Sequence, residues 1–513
     1  MKFVELALAS SEVAQVRSRT AKTERLASVI AGLTAEEIPV AVAYLCGETR
    51  QGRIGIGPAA LRRFWDLPGV EAPSLSVLEV DAALTQLQSV SGKGVNAERE
   101  RILGAVFARA TRSEVEFLAR LLLGELRQGA LEGIVIEAVA KATRVPAQAL
   151  RRAFLFAGNL GQVASAAAAR GEAGLTEFAL ELFRPLLPML ADSAESAEAA
   201  LEGGEPMALE YKLDGARIQV HRRGDDVRVF SRQGNDVTES VPETVHLVRS
   251  LPVREVVLDG EAIALGASGA PLPFQTTMRR FGRRLNVDAL QRELPLSSFF
   301  FDCLALDGEL LIDRTNAERV SALAERIAEP HRVVRRVVET PDEARAFLAA
   351  ALDAGHEGAM AKALSSAYDA GRRGSSWLKI KPAHTLDLVV LAAEWGNGRR
   401  QGFLSNIHLG ARDVAGERFV MLGKTFKGMT DKMLAWQTEE FQKLALGQEG
   451  HVVHLRPELV VEIAFDGVQA SPHYPAGLAL RFARVKRYRT DKPASEADTL
   501  ERVRAIFDKS RLA

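Results

Sequence analysis

The chemistry in this chain is densest at Glu210-Tyr211-Lys212-Leu213-Asp214-Gly215-Ala216-Arg217, where a lysine stands two residues before an aspartate, a glycine follows, and an arginine comes two residues later. A lysine amine is a nucleophile once its pKa is depressed, and desolvation or neighbouring cations can do that. The flanks alternate, with Met207, Leu209 and Tyr211 leading in and Ile218 and Val220 leading out. That period of two predicts a strand on each side and places Lys212 on the bend between them, with Gly215 letting the backbone turn and a ligand approach. A lysine in a surface hairpin would carry the same four residues by itself, so the reading rests on the rest of the chain.

Three other stretches hold cations in suggestive settings. Lys93 lies between glycines in Ser91-Gly92-Lys93-Gly94, where backbone amides could meet a phosphate and where a plain loop serves equally well. Gly423-Lys424-Thr425 ends like a phosphate-binding loop, but Arg418 stands where that motif requires glycine, so it is rejected. Near the C-terminus, Arg481, Arg484, Lys486, Arg487, Arg489 and Lys492 face only Asp491, a density that calls for an anionic partner or for solvent.

The elements that must hold these residues fall into three textures. Residues 1 to about 175 read as successive helices. Thr34 to Glu37 and Thr111 to Glu114 have the form of capping boxes, and Phe117, Leu118, Leu121 and Leu122 share one helical face. A composition shift follows, from the alanine-rich 164–169 to the acidic 192–205, and marks a domain boundary. Beyond it, Val227 to Phe230 should pair with Ile218 to His221 across the turn 222–226. Further strands are expected over 253–258, ending in Asp259-Gly260-Glu261, and over 298–306, ending in Asp307-Gly308. Helices are expected over 317–328 and 341–354. From Leu386, strand runs at 386–393, 419–420 and 459–465 with one helix after Thr430 suggest a small β-barrel of OB type. The expectation is a multidomain chain: an all-α domain over 1–175, an α+β domain over 176–384 and a C-terminal β-barrel over 385–513.

Composition agrees with that size and excludes several classes. A chain of 513 residues, 47% hydrophobic and 26% charged, has room for about three globular domains. Lys+Arg and Asp+Glu are equal at 66 each, so no overall field draws nucleic acid and local patches would have to do so. Cys46 and Cys303 are too few for a zinc ribbon or a disulfide framework, and the nine histidines are scattered, so no structural metal is indicated. The N-terminus has no cationic region leading into an apolar run, and no stretch of about twenty apolar residues occurs. A cytoplasmic protein with no membrane partner is expected.

Taken in order, EYKLDGAR (210–217), SRQGND (231–236), LDGEAI (258–263), FFFDCLAL (299–306), EGAMAK (357–362) and WLKIK (377–381) resemble the nucleotidyltransferase motifs shared by DNA ligases and capping enzymes. RFARVKRYRTDK (481–492) resembles the terminal motif of the ATP-dependent members. LLLGELRQGALEGIVIEAVAKA (121–142) resembles the DNA-binding domain of replicative-type ligases. The whole chain is similar to the three-domain ATP-dependent DNA ligases found as accessory ligases in actinobacteria.

The resemblance implies an activity and assigns residues to it. Lys212 would attack the α-phosphate of ATP, expel pyrophosphate and carry AMP through a phosphoramidate bond. AMP would then pass to a 5′-phosphate at a nick, and the 3′-hydroxyl would displace it. Lys379 and Lys381, alternating onto one strand face, would supply positive charge beside the reacting phosphate. Phe301 would stack on adenine, with Phe299 or Phe300 in the core, and Glu210 would accept from the adenine amino group. Arg217 and Arg232 would contact ribose and phosphate, and Arg373, or Arg372 beside it, would add a further nucleotide contact. Glu261, at the nucleotide, and Glu357 would hold Mg²⁺ or Mn²⁺. Arg489 and Lys492 would orient pyrophosphate. Ala483 and Ala359 depart from the usual proline and leucine, at positions that touch no reacting atom in the family. The implied partners are ATP and nicked double-stranded DNA, gripped by the N-terminal helices through phosphate contacts. A monomer is expected, and a sliding clamp is not indicated.

Three rivals stay open at this point. An RNA ligase or an mRNA capping guanylyltransferase shares the motifs, but the helical domain ahead of Lys212 argues against both. A non-catalytic DNA clamp would have no need of Lys212, Lys379 and Lys381. An NAD-dependent ligase would need an upstream nicotinamide segment and a four-cysteine zinc site, and only two cysteines exist.

Overall fold

The computed structural model describes residues 1–512 apart from 53, 66–67, 93, 127, 130–131, 283–286, 370–372, 382–383, 398–399 and 414–417, and the side chains of 287–289, 373 and 509–512 lie outside the description. The chain forms two compact units, Met1–Pro188 and Met189–Ala513.

Among the described residues of the first unit, ten α-helices lie between Phe3 and Leu175, and the only strand-like pairing is the isolated bridge Lys2–Ser76. The helix Arg112–Leu123 begins as its sequence predicts: the Thr111 hydroxyl accepts from the Glu114 N–H at 3.4 Å, and Glu114 Oε2 accepts from the Thr111 N–H at 2.7 Å. Phe117, Leu118 and Leu121 are buried in the core, each worth about 1.5–3 kcal/mol on burial, with Leu122 packed beside them. The second expected box behaves differently. Glu37 does accept from the Thr34 N–H at 2.9 Å, but these residues form a turn and the helix starts only at Ile38. Pro39 is the reason, because its fixed φ and missing N–H suit the first helical turn and no earlier register. Glu37 is also engaged by the N-terminal ammonium of Met1. The Ser91–Gly94 loop precedes the helix Val95–Phe107, and Lys93 lies outside the described residues.

Among its described residues the second unit opens with ten strands: β1 (Leu190–Ala194), β2 (Met207–Tyr211), β3 (Ala216–Arg223), β4 (Asp226–Ser231), β5 (Glu255–Ala264), β6 (Leu296–Leu306), β7 (Glu309–Leu310), β8 (Arg335–Val338), β9 (Ala359–Ala363) and β10 (Arg373–Ile380). They form two five-stranded sheets, ordered β1-β10-β9-β2-β8 and β4-β3-β5-β6-β7. Lys212 therefore lies where the chain crosses from one sheet to the other, not in a hairpin. Gly215 has no left-handed φ; a Cβ there would lie 2.5 Å from the Ala262 carbonyl oxygen, so close packing on β5 explains the glycine rather than a turn. Asp259-Gly260-Glu261, expected to end a strand, does not. β5 runs on through it, with a shift of the β5/β6 register between Asp259 and Gly260. Asp307 and Gly308 do form a turn, both at positive φ, between β6 and β7. The helices Asn316–Arg326 and Pro341–Asp353 stand where periodicity puts them.

The remaining strands are β11 (His384–Trp395), β12 (Leu404–Arg412), β13 (Phe419–Thr425), β14 (Ala445–Glu449), β15 (Val452–Leu455), β16 (Val460–Phe465), β17 (Gly467–Ala470), β18 (Leu478–Arg481) and β19 (Arg484–Tyr488). Long β11 pairs with β12 on one edge and with both β16 and β15 on the other. The Val485 N–H donates to the Lys427 carbonyl at 2.9 Å, which brings the start of β19 to the end of β13 and curls the sheet around its own apolar core. The single expected helix, Asp431–Leu444, is joined by a second, Leu500–Leu512, whose Leu500 and Val503 are buried in that core.

Candidate active site

The crossing loop is pinned by the backbone before any side chain acts. The Lys212 N–H donates to the Gly358 carbonyl at 2.9 Å, and the Glu357 N–H donates to the Lys212 carbonyl at 3.1 Å, which extends the β2/β9 pairing past its last strand residues. Gly358 is at φ +147°, and a Cβ there would meet the Ile380 carbonyl oxygen at 2.2 Å, so only glycine allows this approach. The three segments that carry Lys212, Glu357 and Lys381 are thereby forced together.

Glu357 is the centre of the result. Its Oε2 takes the Lys212 ammonium and its Oε1 takes the Lys381 ammonium. Burial would raise its pKa, but the two ammonium groups override that and hold it below the usual carboxylate range. Asp214, half-buried beside it, moves the other way, raised by burial and by the charge of Glu357. Glu261 accepts from the Gly215 N–H at 3.2 Å, and burial pushes its carboxyl up to about 7 despite the nearby charges of Lys212 and Arg217. Lys379 sits in β10 opposite Met360, and alternation turns it away from Leu378 and Ile380, which pack on the core. Lys381 follows the last strand residue, on the same face as Lys379.

A second group surrounds Phe301. Phe300 is fully buried in the sheet core, while Phe301 points the other way, its ring edge-on to Trp377 with centroids 6.0 Å apart. The Lys362 ammonium lies 4.4 Å from the Phe301 centroid and 4.1 Å from that of Trp377. Glu210 is 1% exposed, and both its oxygens are engaged: Oε2 by Lys362 at 2.5 Å and Oε1 by Arg335 at 2.5 Å. Arg335 is its direct cross-strand partner on β8 and is held in turn by Asn316 Oδ1 at 2.8 Å.

Arg217 is spent mainly on the protein. Its Nε and Nη2 donate to the two oxygens of Asp259 at 3.1 and 2.5 Å, Nη1 donates to the Met189 carbonyl at 2.6 Å, and Nη2 also reaches the Tyr368 hydroxyl at 3.2 Å. The Tyr368 hydroxyl donates to Asp259 Oδ2 at 2.7 Å and accepts from the Met189 N–H at 3.0 Å. Among the described residues, four of the five guanidinium N–H groups are thus engaged within the protein.

Other expected residues stand apart. Arg232 is exposed on the turn after β4. Arg373 opens β10 opposite Leu190, with its side chain, like all of Arg372, outside the described residues. Arg489 and Lys492 are held by Asp387 on β11, each at 2.9 Å. The cations of the terminal segment that approach the Lys212 cleft are instead Arg481, 3.5 Å from Asp214, and Arg484, 3.1 Å from Asp466, which itself lies 3.6 Å from Lys381.

Sequence reading did not single out Asp259, Tyr368, Lys362, Arg335 and Asp387. Asp259 and Lys362 lie inside motifs that were recognised, and the alternation of β5 and β9 would have placed both on the cleft face. Tyr368, Arg335 and Asp387 carry no local signal of this kind.

The model for the ATP dependent DNA ligase domain matches residues 188–381, that for the ATP dependent DNA ligase C terminal region matches 400–492, and that for the DNA ligase N terminus matches 65–140. A probable DNA ligase of an Anaeromyxobacter species is 58% identical over 508 residues, covering 99% of this chain and 98% of the relative. The chain belongs to the ATP-dependent DNA ligase family. A probable DNA ligase of Mycobacterium marinum is 53% identical to this ligase over 515 residues, covering 99% of it and 100% of the relative. The solved structure Pmar-Lig_PreS3, 20% identical, covers 94% of the ligase and 99% of its own chain at a TM-score of 0.63, so the ligase shares its fold. Family membership sets aside the capping, RNA-ligase and non-catalytic readings. Among the described residues, no helix is long and apolar enough to cross a membrane.

Proposed function

We propose that Lys212 is the residue adenylated by this DNA ligase, and that the ligase seals nicks by passing AMP from Lys212 to a 5′-phosphate. The observation that carries this is the Glu357 carboxylate, which gathers Lys212 and Lys381 onto its two oxygens inside a half-buried cleft. With ATP in the cleft, Lys379 and Lys381 stabilise charge on the phosphate oxygens. Phe301 provides the stacking surface for adenine and Glu210 the acceptor for its amino group, with Arg335 and Lys362 keeping that carboxylate in place. Arg217, Arg232 and Arg373 contact ribose or phosphate.

The donor set fits a hard divalent cation. Glu261 and Glu357 are oxygen donors beside Lys212, and no group of three or more His, Cys, Asp or Glu forms an all-protein cage among the described residues. One or two carboxylates completed by substrate phosphates is the usual Mg²⁺ arrangement. Mg²⁺ or Mn²⁺ held by Glu261 and Glu357 would act as a Lewis acid toward the phosphoryl oxygens.

We assign DNA binding to residues 1–175, adenylation to 176–384 and the barrel to 385–513, with the ligase acting as a monomer on nicked duplex in the cytoplasm. The N-terminal helices grip backbone phosphates with little sequence preference. Incubation with α-labelled ATP, GTP or NAD followed by denaturing electrophoresis tests the cofactor reading. Label from ATP alone is expected, and covalent label from GTP or NAD would overturn it.

A further inference from the structure

A polar cavity of about 280 Å³ opens on the barrel between β11, β16, β19 and the C-terminal helix. Four cations, Arg487, Arg489, Lys492 and Arg502, meet three carboxylates there, Asp387, Glu462 and Asp498. Two of the pairings are one to one: Arg487 with Glu462 across the β16/β19 ladder at 2.7 Å, and Arg502 with Asp498 four residues back at 2.8 Å. The third is different. A single oxygen, Asp387 Oδ2, accepts from both Arg489 Nη1 and Lys492 Nζ at 2.9 Å each, while the other edge of the Arg489 guanidinium, Nε and Nη2, is held by the exposed Asp491 at 2.9 and 2.8 Å. Convergence of a guanidinium and an ammonium on one anionic oxygen is the geometry that a phosphate oxygen would command.

We propose that Asp387 is an internal counter-anion that occupies the place of a pyrophosphate oxygen and thereby sets how tightly the ligase holds its leaving group. The proposal rests on the reading that Arg489 and Lys492 meet pyrophosphate. Every group in the cavity belongs to the barrel, so the pairing travels with the barrel wherever it sits on the catalytic lobe. Pyrophosphate entering the cavity must therefore displace Asp387 from both cations or share them with it. The Asp387 backbone is fixed independently, its N–H donating to Asp498 Oδ2 and its carbonyl accepting from the Asp498 N–H, each at 2.8 Å, so the carboxylate cannot retreat far. The competition lowers affinity for the product of the first step.

The reverse of that step provides the test. A pyrophosphate oxygen attacks the α-phosphorus of lysyl-AMP, the P–N bond breaks with its electron pair leaving on the lysine nitrogen, the nitrogen takes up the proton of hydrogen pyrophosphate, and ATP and the free amine result. The full-length adenylated ligase is titrated with pyrophosphate without DNA, and loss of the AMP label is followed. Asp387→Asn removes the charge and should lower the half-saturating pyrophosphate concentration about threefold or more, as expected for a partly exposed ion pair. Asp387→Glu keeps the charge and should stay near the parent value. Sealing of a pre-adenylated nick is the reference against which the gain is read. An unchanged or higher pyrophosphate requirement in Asp387→Asn, or an equal shift in both variants, overturns the proposal. Asp387→Ser carries the same expectation if the asparagine variant does not fold. Arg489→Ala separates the two levels: no change in its pyrophosphate requirement refutes the underlying reading, whereas a rise alongside an unresponsive Asp387→Asn refutes the counter-anion alone.

Discussion

Replacing Asp259 by asparagine preserves shape and removes one charge, and the network around it makes the consequence large. Asp259 is 1% exposed and answers three donors, two from Arg217 and one from Tyr368. Burial would lower the Arg217 pKa, and the charge of Asp259 raises it instead, so the guanidinium stays charged and needs its partner. An asparagine offers one acceptor and turns an NH₂ group toward donors. Breaking a buried pair in this way costs about 3–5 kcal/mol, against total stabilities of about 5–15 kcal/mol. An exposed pair such as Arg63–Glu100, each side chain 51% exposed, is worth about 0–1 kcal/mol by comparison. Asp259→Asn should lower the melting temperature of the catalytic unit by roughly 5–15 °C. Arg217→Met removes the other charge, and the double variant should be more stable than the sum of the singles predicts by about 2 kcal/mol or more. Thermal melts and urea unfolding of the four proteins decide it. A loss below about 1 kcal/mol for Asp259→Asn, or simple additivity, would refute the picture of a buried, mutually dependent pair.

Three other outcomes follow from the same structure. The folded-state pKa of Glu261, near 7, lies above its ordinary value, so folded protein retains a proton that the unfolded chain releases; the resulting stabilisation is complete below the ordinary carboxylate range and is lost as pH rises toward about 7. Mn²⁺ affinity, read by electron paramagnetic resonance, should accordingly rise with pH up to about 7, and Glu261→Gln should flatten that rise. Arg489→Ala or Lys492→Ala should slow self-adenylation on the order of 10²-fold while sparing a pre-adenylated nick, measured by single-turnover assays of each step. A fragment starting at Met189 keeps both sheets and the barrel with their own cores, so self-adenylation should persist; nick affinity in gel shifts should fall about tenfold or more, with a shallower salt dependence, since phosphate contacts are lost.

The sequence already carried most of the strand and helix positions, because alternation and capping are local signals. Thr111 and Glu114 announced their helix, and the strand holding Ile218 to His221 does pair antiparallel with that holding Val227 to Phe230, but one residue out of the expected register, Ile218 facing Ser231 and His221 facing Arg228, because both strands run on to a turn of only Gly224 and Asp225. Glycines were misread where they serve packing between strands, as at Gly215, or lie at a register shift inside a strand, as at Gly260. The cleft residues Lys212, Glu357 and Lys381 were legible as motifs, but not the bridging role of Glu357, which depends on segments 145 and 24 residues apart meeting. Arg335 and Asp387 were illegible because their meaning lies only in the partner across a sheet or a cavity, which no local window contains.

We propose that one amine, that of Lys212, carries AMP. The ligase incubated with ATP and Mg²⁺, digested and analysed by mass spectrometry under conditions that preserve phosphoramidates, should yield one adenylated peptide, modified at Lys212 and absent from Lys212→Ala and Lys212→Arg. Arginine cannot substitute, since its guanidinium stays protonated. AMP on Lys379, Lys381 or any other side chain of the parent protein, or an adduct surviving in Lys212→Ala, would contradict the account.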